Sequence, residues 1–240
     1  MNNPTAPENQ TDREHDQNIW IVIPAFNEEK CIGEVLDRFS HTTYSVVVVD
    51  DCSSDSTVNV ASGYSVVLLK HLINLGQGAA LQTGFDYLLQ KTDAKFVVTF
   101  DSDGQHDIED IPKIVKLLDS GQYDVVLGSR FLQTNKVEGM PFIKYVVLKL
   151  GLLFTRATTG LTITDTHNGL RGFSIDALRM IHINQNRMAH ASEILSQVAK
   201  RRLRFREVQV NIRYTDYSMG KGQSIFNFVN ILWDLFWGRN

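Results

Sequence analysis

Val46-Val47-Val48-Val49-Asp50-Asp51 decides the fold: four consecutive β-branched residues run straight into a pair of acids. A strand with one wet face alternates apolar and polar residues, whereas an unbroken apolar run suits a parallel sheet covered on both faces. Outward from it, similar short runs lie at Ile19–Pro24, Val66–Lys70, Phe96–Phe100 and Asp124–Leu127. Between them, Glu28–Phe39, Gly78–Gln90 and Ile108–Ser120 carry apolar residues at helical spacing. The alternation predicts an α/β fold over the first 130 residues, a central mostly parallel sheet with helices on both faces. Ligands of such sheets bind beyond the carboxyl ends of the strands. Three polar clusters fall there: Pro24–Asn27, Asp50–Ser54 and Asp101–His106.

After Arg130 the alternation stops. An apolar stretch Phe142–Thr155, a polar turn Thr162–Asn168, a short strand near Leu170–Ser174 and further helix follow, read as an extension of the same sheet. The 240 residues, 43% hydrophobic and 21% charged, suffice for one sizeable core and exclude a disordered or fibrous chain. Cys31 and Cys52 form neither a disulfide framework nor a thiolate metal spacing, which fits a reducing compartment. Residues 1–18 are polar and read as a flexible tail kept in the cytosol. No apolar window reaches the roughly 18 residues needed to span a bilayer, although shorter stretches near Tyr145 and Phe228 come closer than a soluble enzyme needs. Residues 200–240 carry eight Lys or Arg against three Asp or Glu, within a chain of net charge -3. That basic end, with Lys200, Arg201, Arg202, Arg204, Arg206, Arg213 and Lys221, suits phosphate groups or an anionic membrane surface rather than nucleic acid. A solvated helix face is the plainer reading of its first five members.

Asp101-Ser102-Asp103 follows a strand directly, so its two carboxylates can place oxygens on one hard cation, Mg²⁺ or Mn²⁺, that also holds phosphates. Gln105 and His106 are candidates to complete the shell. Asp50-Asp51 can accept hydrogen bonds from a base or a ribose, while Asp55 can cap the helix after it. Pro24-Ala25-Phe26-Asn27-Glu28-Glu29 can line a nucleotide pocket, with Glu29 read as helix entry. The amides of Asn74-Leu75-Gly76-Gln77-Gly78-Ala79-Ala80 can approach an anion or serve close packing. This segment lacks the Lys and Ser/Thr of a Walker loop and the glycine spacing of a dinucleotide site, which disfavours an ATPase or a Rossmann dehydrogenase.

Together with Gly128-Ser129-Arg130-Phe131, these motifs occur in the order and spacing of family-two inverting glycosyltransferases. Over residues 19–220 the chain resembles most the branch of dolichyl-phosphate mannose and polyprenyl-phosphate sugar synthases. The resemblance implies a GT-A fold, a nucleotide-sugar donor and a divalent cation. It implies that Pro24, Ala25, Asn27, Glu28 and Asp51, with Asp50 beside them, hold the nucleoside. Asp101, Asp103 and Gln105 match its metal motif, and Arg130 matches an arginine near the reacting phosphate. Asp165-x-x-Asn168-Gly169-Leu170-Arg171 matches a turn where donor sugar and acceptor meet. Arg213 and Lys221 match basic residues closing over the diphosphate. One departure is Gln77, where the family usually has Lys.

The expected catalytic residues are Asp103, Arg130, Asp165 and Glu193. A phosphate nucleophile needs no strong base, whereas a sugar hydroxyl would need a carboxylate, for which Glu193 and Asp165 are the candidates. Pairing of Glu193 with the basic run 200–206 is its alternative role. Residues 19–222 are read as the catalytic domain and 223–240 as an amphipathic helix, lying with Phe142–Phe154 in the membrane interface or packing in a homo-oligomer seam. The expected function is transfer of a sugar from a UDP- or GDP-sugar to a polyprenyl phosphate, by an enzyme peripheral on the cytoplasmic membrane face. A lipid-linked saccharide acceptor is the alternative. A sugar-phosphate nucleotidyltransferase would need a basic glycine-rich loop after the first strand, and a silent binding module would not need Asp101, Asp103 and Arg130.

Overall fold

The computed structural model describes residues 18–132 and 142–212. Seven strands form one sheet: β1 (Ile19–Ala25), β2 (Ser45–Asp50), β3 (Val67–Lys70), β4 (Phe96–Thr99), β5 (Val125–Ser129), β6 (Arg171–Ser174) and β7 (Phe205–Gln209). Their spatial order is β3-β2-β1-β4-β6-β5-β7. All neighbours are parallel except β6, which runs antiparallel to both β4 and β5. The sequence after Arg130 thus returns into the same sheet. Its return strand arrives head-on, so the turn before β6 lies beside the carboxyl ends of β4 and β5.

The unbroken apolar run of β2 is split between two cores. Val47 and Val49 face one layer with Val22, Val97 and Phe173, while Val46 and Val48 face the other with Ile21, Ile23 and Val98. On the first side pack the helices α3 (Gln77–Lys91), α5 (Phe142–Thr159), α6 (Ile175–Met180) and α7 (His190–Lys200). On the second pack α1 (Ile32–Phe39), α2 (Thr57–Ala61) and α4 (Ile111–Asp119). In α1 the buried residues Ile32, Val35, Leu36 and Phe39 form one face at helical spacing.

Three boundaries differ from the expectation for physical reasons. The helix expected from Glu28 starts at Ile32, because Glu28 and Glu29 give their backbone N–H groups to Thr57 and Asp55 instead. The helix expected over Ile108–Ser120 opens as a 3₁₀ turn, Ile108–Asp110, and becomes α4 only where Pro112 fits its first turn. The basic run 200–206 is not a helix face. Lys200 ends α7, Arg202 turns the chain at φ +53, and Arg204 pairs with Asp124 at 2.6 Å as β7 begins beside β5.

Among the described residues no helix is long and apolar enough to cross a membrane. The expected N-terminal tail, Arg213, Lys221 and the helix expected within 223–240 lie outside the described residues.

Candidate active site

The carboxyl ends of β1, β2 and β4 open onto a cleft of about 540 Å³. Its floor at the β2 end is set by Asp51, which is almost fully buried. Every acceptor position of its carboxylate is taken. Oδ1 accepts from His71 Nδ1 at 2.7 Å and from Leu75 N at 2.9 Å; Oδ2 accepts from Asn74 Nδ2 at 2.9 Å and from Gly76 N at 2.7 Å. Asp51 therefore builds the loop 71–76 rather than presenting free oxygens to a nucleoside. Asp50 accepts Ser53 N with one oxygen and leaves the other buried without a partner.

Pro24, Ala25, Phe26 and Glu28 form the adjoining wall. Asn27 does not line it. At φ +53 its amide oxygen accepts Ser54 N at 2.8 Å and its own N–H goes to Ser53 Oγ, stapling the loops after β1 and β2. Asp55 accepts Thr57 N at the start of α2, and Glu29 accepts Ser56 N, so both serve helix entry.

At the β4 end stand Asp101 and Asp103. Asp101 is held on both oxygens, by Gln77 Nε2 at 3.0 Å and His106 Nε2 at 2.9 Å. Burial opposes its charge, but the His106 contact and the Arg171 charge outweigh this and keep its carboxyl below the ordinary range. His106 is thus a buried strut for Asp101. Burial and the neighbouring Asp101 charge push Asp103 up to about 6, against one hydrogen bond from Gln105 N at 3.0 Å. Among the described residues no three His, Cys, Asp or Glu converge on a point. The donor set nevertheless fits Mg²⁺ or Mn²⁺, which take one or two carboxylates and complete their shell with phosphate and water. Asp103, with its charge uncompensated, is the group that would hold the cation, and Gln105 stands beside it.

The antiparallel return brings the turn 165–170 against this end. Thr99 Oγ1 donates to Gly169 O, and a side-chain carbon at Gly169 would overlap the Asp101 carboxylate. Arg130 and Asp165 form a buried bidentate pair, Nε to Oδ2 at 2.6 Å and Nη2 to Oδ1 at 2.8 Å. Burial opposes the Asp165 charge, yet Arg130 holds its carboxyl below the usual range, the wrong direction for a base. Arg171, expected among the donor-binding residues on the turn where donor sugar and acceptor meet, instead donates to the carbonyls of Asn168, Ala191 and Thr166 and lines no part of the cleft. Burial lowers it to about 10, so it stays charged.

Glu193 is not a free base either, and it does not pair with the run 200–206. Its carboxylate accepts Asn184 N at 3.0 Å and Gln185 N at 2.8 Å, fixing the segment before α7. That segment meets the glycine-rich start of α3. Gly78 N and Ala79 N donate to Asn186 O, and a side chain at Gly78 would collide with Gln185 O. The amides expected to face an anion are spent on this contact. Arg187 and Met188 complete the cleft wall. Sequence reading missed both, since neither sits in a spaced motif.

Removing Asp51 orphans four donors, two of them backbone N–H groups. Asp51→Ala should cost roughly 2–4 kcal/mol of folding stability, read as a lower denaturant midpoint; an unchanged midpoint would contradict its organising role. Burial lowers His167 and His190 from 6.5 to about 4. Between those values the unfolded chain binds protons that the folded state refuses, so stability should fall as pH drops from 6.5 to 4. Asp103 and Glu207, both raised, work in the opposite direction, so the histidine contribution is read from the difference between wild type and a histidine variant. His190→Gln should flatten the slope in thermal melts; a slope that survives intact would reject the assignment.

The sequence profile of glycosyl transferase family 2 matches residues 20–182. The UDP-N-acetylglucosamine–dolichyl-phosphate N-acetylglucosaminyltransferase of Methanococcus voltae is 33% identical over 231 residues, covering 88% of this chain and 91% of its own. The undecaprenyl-phosphate mannosyltransferase of Micrococcus luteus is 28% identical over 213 residues, covering 85% and 86%. Glucosyl-3-phosphoglycerate synthase of Mycobacterium tuberculosis, solved with Mn²⁺, UDP and phosphoglyceric acid, superposes with a TM-score of 0.66 at 17% identity, over 93% of this chain and 80% of its own. The architecture is the GT-A fold. With its profile match spanning most of the sheet and the cleft, the chain belongs to glycosyl transferase family 2.

Proposed function

We propose that this glycosyltransferase moves a sugar, with inversion, from a UDP- or GDP-sugar to a polyprenyl phosphate at the cytoplasmic face of a membrane. The observation that carries the acceptor class is the state of the two candidate bases. Asp165 is locked by Arg130, and Glu193 is spent on the segment before α7. A sugar hydroxyl acceptor would need one of them free, whereas a phosphate is already anionic. The phosphate-lipid names of the relatives from M. voltae and M. luteus support the same class.

The nucleoside lies along Pro24–Phe26 and Glu28, and the diphosphate reaches Asp103. A divalent cation bound there supplies positive charge to the leaving diphosphate. Arg130, whose charge is oriented by Asp165, stands at the end of β5, where the acceptor phosphate approaches through the turn 165–170. A phosphate oxygen forms the new bond to the anomeric carbon as the bond to the diphosphate breaks, and its electron pair leaves with the nucleotide. No proton has to be removed.

Helix α5 supports the membrane part of the reading. Its inner side is fixed by buried Leu152 and Thr155, and Phe131 packs edge-on to Tyr145 at 6.2 Å. Its outer side exposes Val146, Leu150 and Leu153, the last two by 52% and 60%. An apolar stripe one helix away from the acceptor turn suits a lipid tail or bilayer interface.

Two measurements test the reading. Saturating UDP or GDP with Mn²⁺ should raise the wild-type Tm by roughly 5–10 °C, as a ligand at a hundredfold excess over Kd stabilises by about 2.7 kcal/mol. Asp103→Asn should lose that shift, and EDTA should abolish it in the wild type; a shift indifferent to both rules out the metal role. Leu150→Asp combined with Leu153→Asp should reduce cosedimentation with anionic liposomes at least about 10-fold while sparing the nucleotide shift. Undiminished liposome binding would remove α5 from the membrane contact.

A further inference from the structure

The charges of the cleft do not balance. Glu28, Asp51, Asp101 and Asp103 line it, and among the described residues Arg187 is the one cationic side chain that does. Gln77, at the start of α3, brings a neutral amide and spends it on Asp101. Arg187 is exposed, and its guanidinium has no partner among the described residues.

The position of Arg187 is built by its neighbours. Asn186 O is fixed by Gly78 N at 2.8 Å, and Arg187 O accepts from His190 Nδ1 at 2.7 Å. Ile183 N donates to Gln82 Oε1 at 2.7 Å, and Glu193 holds Asn184 and Gln185. The arginine stem then lies across the backbone of Gly76. A side-chain carbon there would stand 3.0 Å from Arg187 Cγ and overlap Asn186 O, and Gly76 itself has φ +105.

Gly76 and Gln77 bridge the two ends of the cleft: Gly76 N binds Asp51, and the Gln77 amide binds Asp101. A ligand running from the nucleoside wall to Asp103 must pass this bridge, and the part of a nucleotide sugar that does so is its diphosphate. We infer that Arg187 binds the donor diphosphate across Gly76, supplying the cationic contact that Gln77 cannot. The guanidinium fork suits two phosphate oxygens, and the glycine lets it approach them without obstruction. Arg187 then stabilises the charge that the diphosphate gains as the sugar departs. The inference rests on the donor-site reading of this cleft.

Calorimetry of the full chain with Mn²⁺ tests it, using UDP and GDP and the corresponding monophosphates against wild type, Arg187→Lys and Arg187→Gln. Arg187→Gln should weaken the diphosphate roughly 10-fold or more and the monophosphate less, with Arg187→Lys between the two proteins. In turnover the loss should appear in kcat as well as KM, because the contact strengthens as the leaving group gains charge. Wild-type binding that Arg187→Gln leaves intact overturns the inference alone. An equal loss for monophosphate and diphosphate also overturns it, since the arginine would then sit on the nucleoside. A wild-type protein that binds neither UDP nor GDP overturns the donor-site reading and the inference with it.

Discussion

The buried carboxylate of Asp51 holds the cleft in shape. It sits at the end of the central strand pair β1–β2, and all four of its acceptor positions are filled by His71, Asn74 and the amides of Leu75 and Gly76. A buried charge is tolerable only when its desolvation is repaid by such charge-assisted bonds. Here the repayment forces the chain after β3 to curl over the strand end and enter α3 at a fixed angle. Gly76, Gln77 and Gly78 inherit their positions from it, and through them so do Asp101 and the segment 184–188. The β2 end of the cleft, its β4 end and the opposing rim are therefore mechanically one unit.

The other buried charges divide into those compensated within the fold and those left for a ligand. Arg130 neutralises Asp165, and Arg171 sits among carbonyls near both Asp101 and Asp165. These groups rigidify the turn before β6. Asp103 is the contrasting case: burial and the neighbouring Asp101 charge push its carboxyl upward. A divalent cation bound there would relieve the repulsion between Asp101 and Asp103 and offset the charge of a diphosphate beside it. The turn itself keeps three buried polar atoms without partners among the described residues, Thr166 Oγ1, His167 Nδ1 and Asn168 Nδ2.

Much of this was legible in the chain alone, for local reasons. A short β-branched apolar run bounded by turn residues suits a strand covered on both faces, and an acid just after it falls at the carboxyl edge, so Val46–Asp51 and Phe96–Asp103 pointed to the sheet and the cleft without any contact information. Strand β7 escaped because Phe205–Gln209, half-buried at the sheet edge, carries charges at two of five positions, and its anchoring to Asp124 spans 80 residues. The roles within the site escaped for a related reason. Spacing shows which acids reach an edge but not which donors meet them there.

The sequence by itself determined the α/β class, the edge where ligands bind, the acids at that edge and the family to which their order is similar. Only the tertiary structure decided what each acid does. Whether a carboxylate acts on a ligand or on its own loop depends on the donors that folding brings within 3 Å, and those come from segments far apart in the chain. Asp51 is consumed by residues 20–25 positions away, Asp165 by Arg130 and Glu193 by the approach to α7. Asp103 accepts a single bond, from Gln105 N two residues away, and among the described residues no donor from a distant segment is seen to hold it. Arg187 enters the cleft because Gly76 leaves room for it, a fact of backbone packing that no pattern along the chain records.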